Sequence, residues 1–375
     1  MPHEDDFHPS LKVFEKLPLG GTDRRSIVAV LAEKGAATAR ADLTASRAKV
    51  SKASVSIAED ACVLLLGGSN GILRAVAIQL LFGEGARVFC VHRDSEQMQI
   101  GVHHAAAIAE AAKEAAVPCT FRNDDALRPQ TIEAVVQTLK ETYRAVHLID
   151  GIAAGAMKRM PEFGPTKVRD LDVAFDPVRQ VPDYSQAENV RRAGLVEVPV
   201  VTPLEVERTL KMMGSGAFLW SEQLAAAGLL VPGESVVAFA DYDYEKDDPV
   251  YARGPLALAK NQQRERMDEI HRKYGVRTVR LCYPVMNTTA IGTIPGGCVM
   301  FAGNAEVGIR NGTYKNLREL ARDTMQMWRA GETGRELRMD VEYQKGLAEF
   351  HELKRDISET NYLDRIQHVI GHADL

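Results

Sequence analysis

The sequence predicts a doubly wound α/β fold, a parallel sheet covered by helices on both faces. Three observations carry this expectation. Cys62–Leu66 (CVLLL) is a short, wholly apolar run that ends in Gly67-Gly68-Ser69-Asn70-Gly71, after which Ile72–Phe82 takes up helical spacing. From there to Ile149, apolar runs too short for helices alternate with segments of helical period. Two further runs of the same kind, Ser235–Ala240 (SVVAFA) and Thr278–Tyr283, come later. Strands that are apolar on both faces, each followed by a helix, belong to a parallel sheet buried between helical layers.

At 375 residues the chain is long enough for two ordinary domains or one large one. Its composition, 45% hydrophobic and 26% charged, excludes a wholly disordered chain. Lys and Arg number 46 against 51 Asp and Glu, a formal charge of −5, so no global basic field recruits nucleic acid. No apolar run approaches the ~18 residues of a membrane span. The opening MPHEDDFHPS is acidic where a secretory signal is basic. The five cysteines are odd in number, without CxxC or metal-ligand spacing, which points to a reducing cytoplasm. We divide the chain into an N-terminal extension (1–60), a Rossmann-type domain (61–312) with a substrate-covering insertion at 156–200, and a helical C-terminal extension (313–375). The expected assembly is a monomer or small homo-oligomer.

The elements follow in order. Thr22 is placed to cap a helix over Asp23–Lys34 that Gly35 would stop, and 36–55 shows no clear period. Arg87–Val91 is a second strand, ending in His92-Arg93-Asp94. An Ala-rich helix, about His104–Ala115, leads to Val117–Phe121; a helix after Pro129, with Ile132, Val135, Val136 and Leu139 on one face, leads to Val146–Ile149. Residues 156–200 have no clean period and read as a long functional loop. Thr202-Pro203-Leu204-Glu205 combines a capping box with proline at the first helical position. Beyond Lys315 the text is helical, with Leu317, Leu320, Ala321, Thr324 and Trp328 on one face.

The glycine turn suggests a ligand. A dinucleotide needs a turn tight enough for its pyrophosphate to reach N–H groups at a helix N-terminus, and glycine supplies that turn without a Cβ clash. Gly67, Ser69, Asn70, Gly71 and Ile72 are the candidate contacts, although Leu73 stands where a third glycine is expected. At the end of the second strand, Asp94 is placed for a ribose 2′-OH and Arg93 for a 2′-phosphate. Asp125 and Ala126 are placed to meet adenine after the third strand. Ala153, Ala154 and Gly155 are small enough for close approach after the fourth.

Reductases on this scaffold commonly pair a tyrosine acid with a lysine that holds the nicotinamide ribose and favours tyrosinate. Tyr242 and Lys246 have a one-turn spacing, but Asp247-Asp248-Pro249 would end a helix there at once. Tyr251 and Lys260 are the better pair. On one unbroken helix they would point to opposite sides, but Gly254-Pro255 puts Tyr251 on the entering loop and Lys260 in the early turns.

The segment VYARGPLALAK, Tyr-x8-Lys, resembles the signature of the trans-2-enoyl-CoA reductases and the related bacterial enoyl-ACP reductases of the short-chain dehydrogenase/reductase superfamily. LLLGGSNGI resembles their cofactor turn, NDDAL their adenine loop, HLIDGIAAGAMKR the strand and small-residue segment after it, and VEVPVVTPLEVERTLKMMGSG the stretch before the catalytic strand. PVMNTTAIGTIP is similar to their Thr/Ser-rich segment, and the resemblance spans roughly 60–330. It implies reduction of the C2=C3 bond of an enoyl-CoA or an acyl-carrier-protein thioester. Hydride would go to C3, Tyr251 would hydrogen-bond or protonate the enolate oxygen, Lys260 would bind the cofactor and tune Tyr251, and Thr288 would lie near the carboxamide. The Arg-Asp ending of the second strand, His92-Arg93-Asp94, resembles that of NADPH-using short-chain reductases, so NADPH is expected ahead of NADH.

Three positions depart from the family pattern. Asp241 stands for a tyrosine ten residues before Tyr251, with Tyr242 as a one-residue substitute. Leu73 replaces the third glycine, and a tryptophan expected after the Met-Gly pair is replaced near Phe218. A carbonyl or β-ketoacyl reductase and a non-catalytic nucleotide-binding protein are the alternatives. His103-His104 reads as a solvated pair with no third metal ligand, and nothing nearby activates Cys298.

Overall fold

The computed structural model describes residues 24–51, 55–93, 100–153, 155–176, 179, 181–244, 248–288, 290–329, 336–373 and 375. Asp94, Ala154, Lys246, Thr22 and Asp23 lie outside the described residues.

The chain opens with helix α1 (Arg24–Arg47), followed by β1 (Ala61–Leu66), α2 (Gly71–Phe82), β2 (Arg87–His92), α3 (Ile100–Glu114), β3 (Cys119–Asn123), α4 (Pro129–Thr142) and β4 (Ala145–Asp150). Next come β5 (Thr166–Val173), β6 (Val190–Val198), α5 (Pro203–Thr209), α6 (Gly216–Ala226), β7 (Val236–Tyr242), α7 (Pro255–Tyr274) and β8 (Arg277–Tyr283). The last part holds α8 (Gly297–Arg310), α9 (Leu317–Thr324), β9 (Glu336–Arg338), α10 (Val341–Lys345), α11 (Leu347–Asp356) and α12 (Tyr362–Arg365). Seven parallel strands form one sheet in the order β9-β8-β7-β4-β1-β2-β3.

The apolar runs are explained by burial on both faces. Val63 and Leu65 of β1 pack with α2, α3 and α9 on one side, whereas Cys62, Leu64 and Leu66 pack with α4, α6 and α7 on the other. Every residue of β1 is fully buried.

Three expectations are corrected. Gly35 does not stop the first helix, which runs on through it to Arg47. Its bare Cα lies against the His103 ring, where a Cβ would come within 2.5 Å of Cδ2, so this glycine serves close helix packing. The 156–200 segment is not an irregular loop. β5 and β6 pair antiparallel from Thr166↔Val198 to Val173↔Val190, with a bulge at Asp172/Val173. The C-terminal stretch is helical as expected, but it also supplies β9, the edge strand beside β8.

The capping box at Thr202 forms with Glu205 as its spacing predicts. Proline is the first residue of α7, with Gly254 as N-cap. Among the described residues no helix is long and apolar enough to cross a membrane.

Candidate functional site

The carboxyl ends of β1, β2, β4, β7 and β8 converge on one rim, where open parallel sheets bind ligands. Gly67, at the end of β1, has φ +95°, and a Cβ there would press on Gly151 O at 3.3 Å. Asn70 caps α2 by accepting from Gly71 N at 2.8 Å, and Gly71 opens the helix at φ +58°. Ser69 is buried beside them and Ile72 turns its side chain into the core. Leu73 is accommodated because Gly151 is bare: a Cβ on Gly151 would lie 2.3 Å from Leu73 Cδ1. The close approach that a third glycine gives in the helix is supplied here by Gly151, just past the end of β4.

At the adenosine end, Arg93 Nη1 meets Asp125 Oδ2 at 3.2 Å, with both side chains half-exposed. Asp125 Oδ1 accepts from Leu127 N at 2.9 Å. Ala126 O accepts from the indole of the fully buried Trp220 at 2.8 Å, which fixes the loop. Phe218 lies under the Arg266 guanidinium instead. On the other flank, Thr288 Cγ2 lies 3.8 Å from the position of a Cβ on Gly71. Ala153 is exposed at the end of the β4 loop. Beside the turn, a cavity of about 150 Å³ is lined by Asn70, Gly71 and Thr288 and also presents Arg74, Arg179 and Lys315.

Tyr251 sits on the turn entering α7, where Asp248 Oδ1 accepts both Val250 N (2.9 Å) and Tyr251 N (2.6 Å). Its ring lies 5.2 Å from that of Tyr242 and stacks 5.9 Å from that of Tyr244. Burial pushes the Tyr251 phenol above its ordinary range, and the Asp248 charge and Tyr343 push it further. Tyr242 is shifted the same way by burial, and it shares a hydrogen bond with Tyr343. Tyr343, on α10, also lines a 200 Å³ cavity with Val285, Val307, Tyr314 and Met339. No local pattern marks Tyr343 as a site residue, because it reaches the cluster only through the fold of the C-terminal stretch.

Lys260 Nζ donates to Ala240 O at 2.8 Å and to Gln263 Oε1 at 3.1 Å, and lies 3.7 Å from Asp241 Oδ1. Burial lowers the pKa of its ammonium, Asp241 and Asp150 oppose that, and Arg264 and Arg280 add to it. Asp150, buried at the end of β4, accepts from Ile152 N and Ala217 N at 3.0 and 2.9 Å. Burial raises its pKa to about 6. Among the described residues no hydrogen bond joins Lys260 to Tyr251.

His104 contacts Arg74, and burial together with that guanidinium lowers its pKa to about 2, so it stays neutral. Among the described residues no group of His, Cys, Asp and Glu is arranged to hold a metal. Burial holds the Cys298 thiol well above its ordinary range.

A seven-stranded parallel sheet with a glycine-cradled helix start on its rim defines a Rossmann-type α/β protein. The family model of the trans-2-enoyl-CoA reductase catalytic region matches residues 97–298, more than half of the chain. The protein belongs to that family. It is 28% identical over 205 residues to an enoyl-[acyl-carrier-protein] reductase [NADH] of Edwardsiella ictaluri, covering 53% of this chain and 51% of that one. With the Pseudomonas putida enzyme of the same name, identity is 27% over 276 residues, covering 70% and 68%. The chain thus spans about half the length of the first of the curated relatives it matches. A Clostridium trans-2-enoyl-CoA reductase in complex with NADH superposes with a TM-score of 0.71 at 17% identity, covering 91% of each chain, a likeness of fold.

Proposed function

We propose that this protein reduces the C2=C3 double bond of a 2-enoyl thioester, using NADH or NADPH. The observation that carries the reading is the placement of Tyr251 and Lys260 at the start of α7, on the same rim as the glycine turn, in a chain of this family.

The cradle fits a dinucleotide. Gly67 and Gly71 leave bare Cα atoms beside the first N–H groups of α2, a setting that suits a pyrophosphate. The cofactor would be held by the backbone from Gly67 to Ile72, by Asp125 and Ala126 toward adenine, by Ala153 and Thr288 along its length, and by Lys260. Arg93 would meet a 2′-phosphate. Bound there, a reduced nicotinamide supplies the hydride that C3 accepts.

The Tyr251 hydroxyl faces the charge that develops on the thioester oxygen. A buried donor in a low-dielectric site stabilises that charge far better than water does. Burial keeps the phenol protonated through neutral pH, so Tyr251 enters as a donor, with Tyr242 and Tyr343 packed behind it. Lys260 adds positive charge to the same rim.

The test mixes purified protein with NADH or NADPH and crotonyl-CoA, following absorbance at 340 nm and product mass. Oxidation with butyryl-CoA formed is the expected result. Turnover of β-ketoacyl substrates with crotonyl-CoA untouched would overturn the reading in favour of carbonyl reduction, which the same Tyr and Lys serve.

A further inference from the structure

We infer that Asp241 is the positioning residue for Lys260, setting both where its ammonium sits and the pH range over which it stays charged. This rests on the reading of Lys260 as a cofactor-side residue.

Asp241 stands where the family resemblance leads to tyrosine, one residue beyond the carbonyl that takes a Lys260 N–H. Its carboxylate has no solvent exposure, and its Oδ1 also accepts from Tyr242 N at 2.8 Å. Oδ2 is held by Arg280 Nε at 2.5 Å and Arg264 Nη2 at 3.0 Å. Arg280 reaches on to Asp243 and to Glu336 at 2.7 Å, so its charge is shared with two further carboxylates. Arg264 is 35% exposed and shares its charge with water. Without Asp241, Lys260 would face the Arg264 guanidinium and an Arg280 still paired with Asp243 and Glu336, and would keep Asp150, reached through Gln263 Nε2 at 3.5 Å, as its own remaining carboxylate neighbour. A buried lysine so placed loses its proton readily.

The hydrogen-bond inventory of Lys260 supports a ligand role. An ammonium carries three N–H groups. Two are spent on Ala240 O and Gln263 Oε1, and Asp241 Oδ1 at 3.7 Å supplies charge without consuming the third. The tyrosine expected here could not supply that charge at neutral pH. Asp241 therefore replaces it with a group of different purpose.

The experiment reads Lys260 directly. Acetic anhydride labelling of the full-length chain, quantified at Lys260 by mass spectrometry from pH 6 to 11, follows its ionisation without any ligand. Asp241→Asn is expected to lower the midpoint by about one pH unit or more, and Arg264→Gln to raise it. NADH binding, followed by nicotinamide fluorescence, should lose its alkaline limb at correspondingly lower pH in Asp241→Asn. Melting temperatures report whether each variant folds. Should Asp241→Asn not fold, the upward shift in Arg264→Gln remains the deciding result. An unchanged midpoint in a folded Asp241→Asn, or no rise in Arg264→Gln, overturns the inference. The expected midpoint shifts in the variants, together with a wild-type protein that binds no nicotinamide, would overturn the cofactor reading and leave the Asp241–Lys260 linkage standing.

Discussion

Tyr251 is held by its backbone before its side chain does anything. Asp248 takes the N–H of both Val250 and Tyr251, so the hydroxyl is carried on a fixed turn at the mouth of α7. Tyr251→Phe keeps that turn and the ring packing and removes only the donor. Turnover of crotonyl-CoA should fall by about 10²–10⁴-fold while NADH affinity stays unchanged, and undiminished turnover would remove Tyr251 from the mechanism. Arg93 gives a second prediction at this scale. Its guanidinium is half-exposed beside Asp125, so a 2′-phosphate can engage it. Arg93→Ala should raise KM for NADPH severalfold and leave that for NADH alone; equal effects on both would show that Arg93 does not read the phosphate. The turn, Tyr251 and Lys260 are legible in the sequence because each sits beside local punctuation: glycines, or Gly254-Pro255. The answers to the Leu73 and Asp241 departures are not legible, because they lie at Gly151 and at Arg264 and Arg280, which only the fold brings near.

The β5–β6 hairpin shows why a whole element escapes a pattern reading. Along β5, Lys167 and Arg169 alternate onto the face of Leu171 and Val173, while Val168 shares its face with Asp170 and Asp172, so neither face is cleanly apolar. Asp170 is polar on an inward face for a reason. Its carboxylate accepts from Gly296, Cys298 and Val299 N at 2.9, 3.1 and 3.3 Å, tying the hairpin to the first turn of α8. Burial raises the Asp170 pKa to about 6, although those N–H groups pull it back. The native protein therefore holds this proton more tightly than the unfolded chain does. The resulting stabilisation is complete below about pH 4, declines as pH rises through 6, and is absent above. Asp170→Asn removes that dependence. The urea midpoint of the wild type should fall relative to the variant between pH 4 and 6, and parallel curves would show that Asp170 does not titrate there.

At the scale of the molecule, the C-terminal stretch is part of the body built on the sheet and not an appendage to it. β9 extends the sheet beside β8, and Glu336 reaches Arg280, which itself grips Asp241. Farther on, Phe350, Ile357, Ile366 and Val369 are buried in one cluster with Val299, Phe301 and Ala302 of α8. Fully burying a side chain of this kind contributes about 1.5–3 kcal/mol, so the four together account for roughly 6–12 kcal/mol. That is comparable to the whole stability of a typical domain, about 5–15 kcal/mol. Removing residues 341–375 should therefore abolish cooperative folding and not simply trim activity. The same segment carries Tyr343 to the Tyr242–Tyr251 cluster, so a truncated chain that did fold would still lack part of its site. Tyr343→Phe separates the two contributions: it keeps the apolar packing and deletes only the hydroxyl bonded to Tyr242. It should leave the melting temperature within a few degrees of wild type while altering kcat or KM for the enoyl thioester. A truncated protein with a native melting transition and full turnover would show that the sheet and its rim are complete without this stretch.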